Sequence, residues 1–500
     1  MNTHLEIEAK YDLADGQQVP ELVGVGAVDA MVAQAEMVLT ATYFDTLDHS
    51  LAAAGATLRR RAGGTDDGWH LKLPLADGER LEVHRPFGRG QAPPAALTAL
   101  VRGLVRASRL DAVATLVNRR TVHQLLDRDG KVLAELADDA VTGERHDVEG
   151  HVVTWRELEI ELVDGDRGVL AALDAAVRKA GVQPASSGSK VGRVLGSPVA
   201  RFAQRPTVRR KTPVGDVLSV GLRSAMLGLQ AAEPLLRLDR ADAPTRMRAA
   251  IQRLRAALAL QRQVVPDDIT ASIRSELAWL DTVVAGLEDV DTTHARIRAA
   301  LAVQPKELVI GPVTRRVDRE LAAARRTAVA VVREALDSPR YLDMLEGILE
   351  LPSRMPAAGA AATRANNVLP DLAQRALRRA ERRLAQLARA PSDDERRWHQ
   401  RGARRAVQRA SYAQRLHSRR PDQIQGPLEA TLDEVATVLA RLEVSMRTQE
   451  VLRDLAVQAH LAGENGFTFG LLHGLEQARA DSLVRETRKL GKHLRRLDQI

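Results

Sequence analysis

Cysteine is absent from all 500 residues. That excludes disulfides and thiolate metal sites, and an intracellular, cytoplasmic protein is the expectation. Aromatic residues make up only 3% of the chain, so a nucleic-acid surface built on stacked bases has little to draw on. No apolar run reaches the roughly 18 residues of a membrane-crossing helix, and no membrane partner is expected. Charges begin at Glu6 with no apolar stretch before them, so no secretory leader is expected. What is present is charge, unevenly spread. Residues 1–200 hold 22 Lys+Arg against 29 Asp+Glu, a net of −7, whereas residues 201–500 hold 51 against 36, a net of +15. The length and this asymmetry predict two or more domains with different partners. The basic part is nearly all arginine, which is either a compositional habit or a polyanion-binding surface.

The first 200 residues carry strand patterns. In Leu5–Lys10, Glu6, Glu8 and Lys10 alternate with Leu5, Ile7 and Ala9, so one face is charged and the other apolar. Two carboxylates about 7 Å apart on one strand suit a divalent cation, and the lysine suits a phosphate. The pattern recurs with complementary charges. Arg59 and Arg61 share a face in Ala56–Arg61. His70 and Lys72 share one in Trp69–Leu73. Arg80, Glu82 and His84 share one after a turn at Asp77-Gly78. Val117–Leu126 and Lys131–Leu136 flank a hairpin turn at Asp129-Gly130. Trp155–Leu162 sets Glu157, Glu159 and Glu161 against Leu158, Ile160 and Leu162. A solvated sheet face mixes both signs on each strand; here the signs sort by strand. A closed barrel with a charged interior accounts for this, its apolar outside covered by helices at Pro93–Arg106 and Val169–Ala180. Such a lumen suits a short polyphosphate, held by Arg and Lys beside carboxylates that bind Mg²⁺ or Mn²⁺.

Glu6-Ile7-Glu8-Ala9-Lys10 resembles the ExExK signature of the CYTH family, the triphosphate tunnel metalloenzymes. Tyr43-Phe44-Asp45-Thr46, Leu58-Arg59-Arg60-Arg61, Trp69-His70-Leu71-Lys72, Arg80-Leu81-Glu82, Glu157-Leu158-Glu159 and Ser189-Lys190-Val191-Gly192-Arg193 follow in the family's order. The resemblance implies an antiparallel eight-stranded β tunnel with covering helices that hydrolyses triphosphates with a divalent cation. It implies Glu6 and Glu8 as metal ligands and, with Lys10, as the catalytic set. Arg59, Arg61, Lys72, Arg80, Arg120 and Lys190 become phosphate contacts. Glu157, Glu159 and Glu161 form a second carboxylate cluster. Either Asp138 or Asp139 matches a further acidic position, and Asp139 shares strand parity with Glu135.

After a linker at residues 201–213, helical periodicity replaces strand alternation. It covers Val214–Leu229, Ala243–Gln261, Ile273–Leu287, Val313–Leu336, Leu369–Ala388, Glu395–Arg415, Ile424–Ala440, Thr448–Ala462 and Thr468–Leu490. Residues 214–500 are therefore expected to form an all-α bundle. Arg248, Ala250, Gln252 and Arg253 recur at an offset of 156 as Arg404, Ala406, Gln408 and Arg409. That predicts an internal duplication, with halves at roughly 214–350 and 365–500. This part resembles the CHAD family, helical domains associated with inorganic polyphosphate, through Arg246-Met247-Arg248, Arg253-Leu254-Arg255 and the Ala459–Gly470 segment. The resemblance implies polyphosphate contacts at Arg248, Arg255 and Arg404. The chain departs from the family at Thr245, Arg401 and Leu442, where histidine is expected. It departs also at Gln252, Gln408, Ser411 and Glu288, where basic residues are expected.

The expectation is an α+β multidomain protein whose tunnel hydrolyses inorganic triphosphate or a nucleoside or thiamine triphosphate. A non-catalytic polyphosphate- or triphosphate-binding module is the alternative, and an adenylate cyclase ranks last because no adenine-reading element is present.

Overall fold

The computed structural model describes residues 2–75, 79–196, 211–262, 267–354, 359–417 and 426–498. The Asp77-Gly78 turn and most of the 201–213 linker lie outside the described residues. The chain divides into two compact units, Met1–Arg205 and Pro206–Ile500.

The first unit is built on β1 (Asn2–Glu6), β2 (Glu8–Leu13), β3 (Ala30–Ala33), β4 (Met37–Asp45), β5 (Thr57–Ala62), β6 (Gly68–Pro74), β7 (Arg80–Arg85), β8 (Asp111–Leu126), β9 (Val132–Arg145), β10 (Val152–Leu162) and β11 (Gln183–Pro184). They form one antiparallel sheet in the order β1-β7-β6-β5-β4-β8-β9-β10-β2-β11, with β3 added beside β8. β1 and β2 are one strand that changes partner at Ile7. Its first part pairs with β7 and its second with β10, and the Ile7 carbonyl accepts from Leu162 N at 3.0 Å. The sheet thereby closes on itself. With β3 and β11 as short additions, eight strands make the barrel.

Alternation places one side chain in two inside. The outward apolar residues need cover. Tyr11, Leu136, Leu158 and Ile160 pack with Leu173 and Val177 of helix α4 (Arg167–Lys179) in one core cluster. Asp166 caps that helix by accepting from Val169 N at 3.0 Å, and Arg178 and Lys179 sit in its last turn, where the helix dipole favours cations. The remaining helices among the described residues are α1 (Ser50–Ala53), α2 (Ala95–Leu100), α3 (Arg102–Val105) and α5 (Lys190–Leu195). The single helix expected over 93–106 is α2 and α3, broken where Val101 adopts φ −107° and ψ 14°.

Among its described residues the second unit is helical apart from short connections. It comprises α6 (Val214–Arg237), α7 (Ala243–Gln261), α8 (Asp267–Ala302), α9 (Val313–Asp337), α10 (Pro339–Glu350), α11 (Ala365–Leu387), α12 (Asp393–His417), α13 (Pro427–Leu461) and α14 (Phe467–Leu497), with short 3-10 turns between them. Two elements run on where the apolar period stops. α8 continues past Leu287, and α13 joins two segments expected as separate helices. The reason is that their buried faces turn polar there. Glu288 and Thr293 are buried in α8, and Ser445 and Thr448 in α13, so apolar periodicity loses the face while the helix keeps it. α10 was not expected. Its signal is local: Ser338 accepts from Tyr341 N at 3.2 Å as N-cap, with Pro339 in the first turn. No helix among the described residues is long and apolar enough to cross a membrane.

Candidate functional site

Barrel register builds the lumen row by row. Glu157 of β10 lies opposite Asp139 of β9, and Asp139 opposite Arg120 of β8. Tyr43, Arg59 and His70 align across β4, β5 and β6. Lys72 lies opposite Glu82, Arg80 opposite Glu6, Glu8 opposite Glu161, and Lys10 opposite Glu159.

One end of the lumen is filled by apolar groups. Ala41, Tyr43, Leu116, Val141 and Trp155 meet Val191, Val194 and Leu195 of α5 in one cluster. Gly143 makes room for this plug: a Cβ there would stand 2.4 Å from a Val194 methyl carbon. Ser189 caps the plug helix by accepting from Gly192 N at 3.1 Å, and the next residue, Lys190, reaches into the lumen.

Lys190 Nζ lies 2.9 Å from Asp139, 2.6 Å from Glu157 and 2.7 Å from Glu159. Ligand atoms of those three carboxylates lie within 4.8 Å of one another. Arg120 completes the group, donating to both Asp139 oxygens at 2.7 and 2.6 Å and to Glu159 at 2.7 Å. Lys10 pairs with Glu159, and with Glu8 at 2.7 Å. Burial opposes ionisation of Glu159, but Lys10, Lys190 and Arg120 outweigh it and hold the carboxyl well below its usual range. Asp139, fully buried, is held down in the same way by Lys190 and Arg120.

The other carboxylates are less well compensated. Glu6 is 1% exposed and accepts from Lys72, yet its Oε2 has no hydrogen-bond partner among the described residues. Burial, with the neighbouring Glu8, raises its pKa in spite of Lys72. Glu161, its side chain 39% exposed and 3.8 Å from His4, is pushed up to about 7 by burial and by Glu6. Burial opposes ionisation of Glu8, but Lys10, Lys72 and Arg80 together hold it below its usual value; Arg80 Nε lies 3.6 Å from it.

The cationic wall is β5 with its neighbours. Arg59 meets the Tyr43 hydroxyl at 3.3 Å, makes no ion pair among the described residues, and keeps a buried Nε without a partner. Arg61 pairs with Asp66; burial and the nearby Arg59 and Arg120 lower it to about 10. His70 pairs with Glu82 and is held down to about 4 by burial, so it stays neutral near pH 7.

The lumen thus brings together Glu6, Glu8, Lys10, Arg59, Arg61, Lys72, Arg80, Arg120, Asp139, Glu157, Glu159, Glu161 and Lys190. Asp138 is not among them. It faces the opposite side of β9 and receives Arg156 at 2.9 and 2.6 Å. Tyr43, His70 and Glu82 join the lumen although sequence reasoning named no role for them. Their signal was strand parity with Arg80 and Lys72, and the Tyr43–Thr46 motif.

In the second unit, α7 and α12 meet along their length. Gln252 and Gln408, 156 residues apart, hydrogen-bond to each other. The arginines beside them are already neutralised. Arg248 pairs with Glu288, and with Glu443 at 2.9 Å. Arg255 pairs with Asp281, and Arg404 with Glu443.

Comparison with known proteins matches the two units separately. The model of the CYTH domain matches residues 4–190, and that of the CHAD domain residues 221–453. The protein Rv2226 of Mycobacterium tuberculosis (strain ATCC 25618 / H37Rv) is 32% identical over 513 aligned residues, covering 99% of this chain and 97% of that protein. PptA from Streptomyces chartreusis is 22% identical with a TM-score of 0.47, covering 56% of this chain and 100% of that one. The CHAD domain from the plant Ricinus communis is 19% identical with a TM-score of 0.44, covering 58% and 95%. These two structural likenesses are too distant to bear on activity. With both family models matched in order, and a relative matched almost end to end, the chain belongs to the family in which a CYTH domain is followed by a CHAD domain.

Proposed function

We propose that the tunnel hydrolyses a phosphoanhydride bond of inorganic triphosphate or a related triphosphate, with Mg²⁺ or Mn²⁺ as cofactor and water as nucleophile. CYTH domains bind triphosphates and depend on metal ions. The observation that carries the reading is the division of the lumen into two unfinished sides. Arg59 presents a cation without an ion-pair partner among the described residues, and Glu6 presents a buried oxygen without a donor. A polyphosphate completes the first side and a divalent cation the second.

The donor set fits such a cation. Glu6, Glu8 and Glu161 are hard oxygen ligands, and the raised values of Glu6 and Glu161 mark a place short of positive charge. The chemistry supplied there by a bound divalent ion is neutralisation of phosphate charge and activation of water. Asp139, Glu157 and Glu159 are a second acidic group, but Lys190, Lys10 and Arg120 already balance them. Arg59, Arg61, Lys72 and Arg120 grip phosphoryl oxygens, arginine in bidentate fashion. Lys10, Arg80 and Lys190 hold the carboxylates ionised and oriented. For the helical unit we read phosphate-chain binding, supported by its family and its surplus of arginine.

The experiment is phosphate release from inorganic triphosphate, with and without Mg²⁺ or Mn²⁺, by the wild type and by Glu6→Ala/Glu8→Ala. Metal-dependent release lost in the variant is expected. Release undiminished in the variant sinks the reading. Tight binding without turnover in the wild type turns it toward a sensing module.

A further inference from the structure

Two sets of arginines in the helical unit differ in how they are paired. Those between α7 and α12 are paired with carboxylates. A second set, on α11 and the neighbouring part of α12, lines a cavity of about 420 Å³ with no carboxylate among the described residues of its wall. Arg375, Arg378, Arg379, Arg382 and Arg409 form that wall, with Leu260 and Ala376 between them. The four α11 residues follow the i, i+3, i+4, i+7 spacing, so their guanidinium groups project from one stripe about 10 Å long. Like charges at this spacing destabilise a helix. Only Arg375 among the five has an ion-pair partner among the described residues, Asp371 one turn before it. Arg409 is half-buried, and its Nε is enclosed without a partner. Burial and the charges of Arg379, Arg262 and Arg405 hold its guanidinium below its usual value.

We propose that this cavity is the phosphate-chain site of the helical unit, in place of the cleft between the duplicated halves. The proposal rests on the reading of the helical unit as a phosphate-chain binder and is independent of hydrolysis in the tunnel. Guanidinium forks match phosphoryl oxygens bidentately. A stripe of four, with Arg409 at the floor, suits an anion with charge repeated along its length. No aromatic side chain lines the cavity among the described residues, so none of these stacks on a base, and an unsubstituted phosphate chain fits better than a nucleotide.

The test is binding of long-chain inorganic polyphosphate to the full-length protein in EDTA, which stops metal-dependent turnover. It is read by calorimetry and by hydrogen exchange along the chain. Wild type is expected to gain protection in α11 and around Arg409. Arg378→Glu/Arg379→Glu/Arg382→Glu, all at exposed positions, should lose that protection and bind at least about 10²-fold more weakly, since each replacement removes charge-assisted bonds and adds a repelling charge. Arg315→Glu/Arg326→Glu/Arg333→Glu makes the same charge change on the exposed surface of α9 and should shift affinity less than about threefold. Tunnel phosphate release should be unchanged in both. Equal losses in the two variants, or wild-type protection confined to the tunnel or to α7, overturn the cavity site. Absence of any protection in the helical unit of the wild type overturns the site and the reading of that unit together, while leaving the tunnel reading standing.

Discussion

Gln252 and Gln408 occupy matching positions of a sequence pattern repeated 156 residues apart, and each is the other's hydrogen-bond partner. That hydrogen bond joins α7 and α12 through two uncharged amides. Beside it Arg248 and Arg404 share one carboxylate, Glu443. Around the paired amides Arg248, Arg404 and Glu443 thus form one ion-pair network.

The amide pair predicts an asymmetry between single and double replacements. Gln408→Leu should lower stability by about 1 kcal/mol, because it strands the amide of Gln252 at a half-buried position. The double replacement Gln252→Leu/Gln408→Leu should be close to neutral. A double-mutant cycle in urea checks this; additive losses would show that the amides do not depend on each other.

Lys190 is the tie between three carboxylates, so its loss should be costly. Lys190→Met leaves Asp139, Glu157 and Glu159 crowded together with less compensating charge. A loss of about 3–5 kcal/mol is expected in EDTA, the usual consequence of breaking a buried ion pair. Mg²⁺ should recover part of it in the variant, more than it adds to the wild type, since the vacated carboxylates can then accept a cation. Melting curves with and without Mg²⁺ decide the matter.

Glu161 should make stability depend on pH. Its folded value of about 7 exceeds its ordinary 4.5, so the folded state holds the proton more tightly. The stability it contributes is complete below about pH 4.5 and is lost as pH rises through about 7. Compared with wild type, Glu161→Gln should lose this component of the decline. Divalent cation, which needs the ionised carboxylate, should raise the melting temperature of wild type more at pH 8 than at pH 5. An identical cation effect at both pH values would place the ion away from Glu161.

Arg59 is the lumen cation with the least internal employment. Arg59→Met should cut kcat/KM for triphosphate by about 10²-fold or more, as expected for loss of a preorganised charge at the phosphates. Its melting temperature should hardly move, since no ion pair is broken. A large thermal loss would assign Arg59 to the barrel wall instead.

Much of the barrel was legible because charge and apolarity alternate with period two. Glu157, Glu159 and Glu161 could be read onto one face of β10 and Arg59 and Arg61 onto one face of β5 without coordinates. The choice between Asp138 and Asp139 needed the pairing of β9 with β8, which brings Asp139 to Arg120. The role of Lys190 as a tie was not readable, because it depends on α5 entering the barrel beside Gly143. In the helical unit, Glu288 and Ser445 hid the continuity of α8 and α13, since a polar residue facing inward has the same period as one facing water.

The seam of the barrel carries a consequence for assembly. The strand that closes it bonds on one side to β7 and on the other to β10, and Lys10 meets Glu159 across 149 residues of chain. Closure must wait until both neighbours are formed, so it is a late, high-contact-order event. Until then an unpaired strand is a template for aggregation. The Glu6, Glu8 and Lys10 charges that serve the lumen also guard that strand while it waits. Because the same step brings Glu6 to Lys72 and Lys10 to Glu159, a molecule that has completed its barrel has completed its candidate site, and a misclosed one has neither.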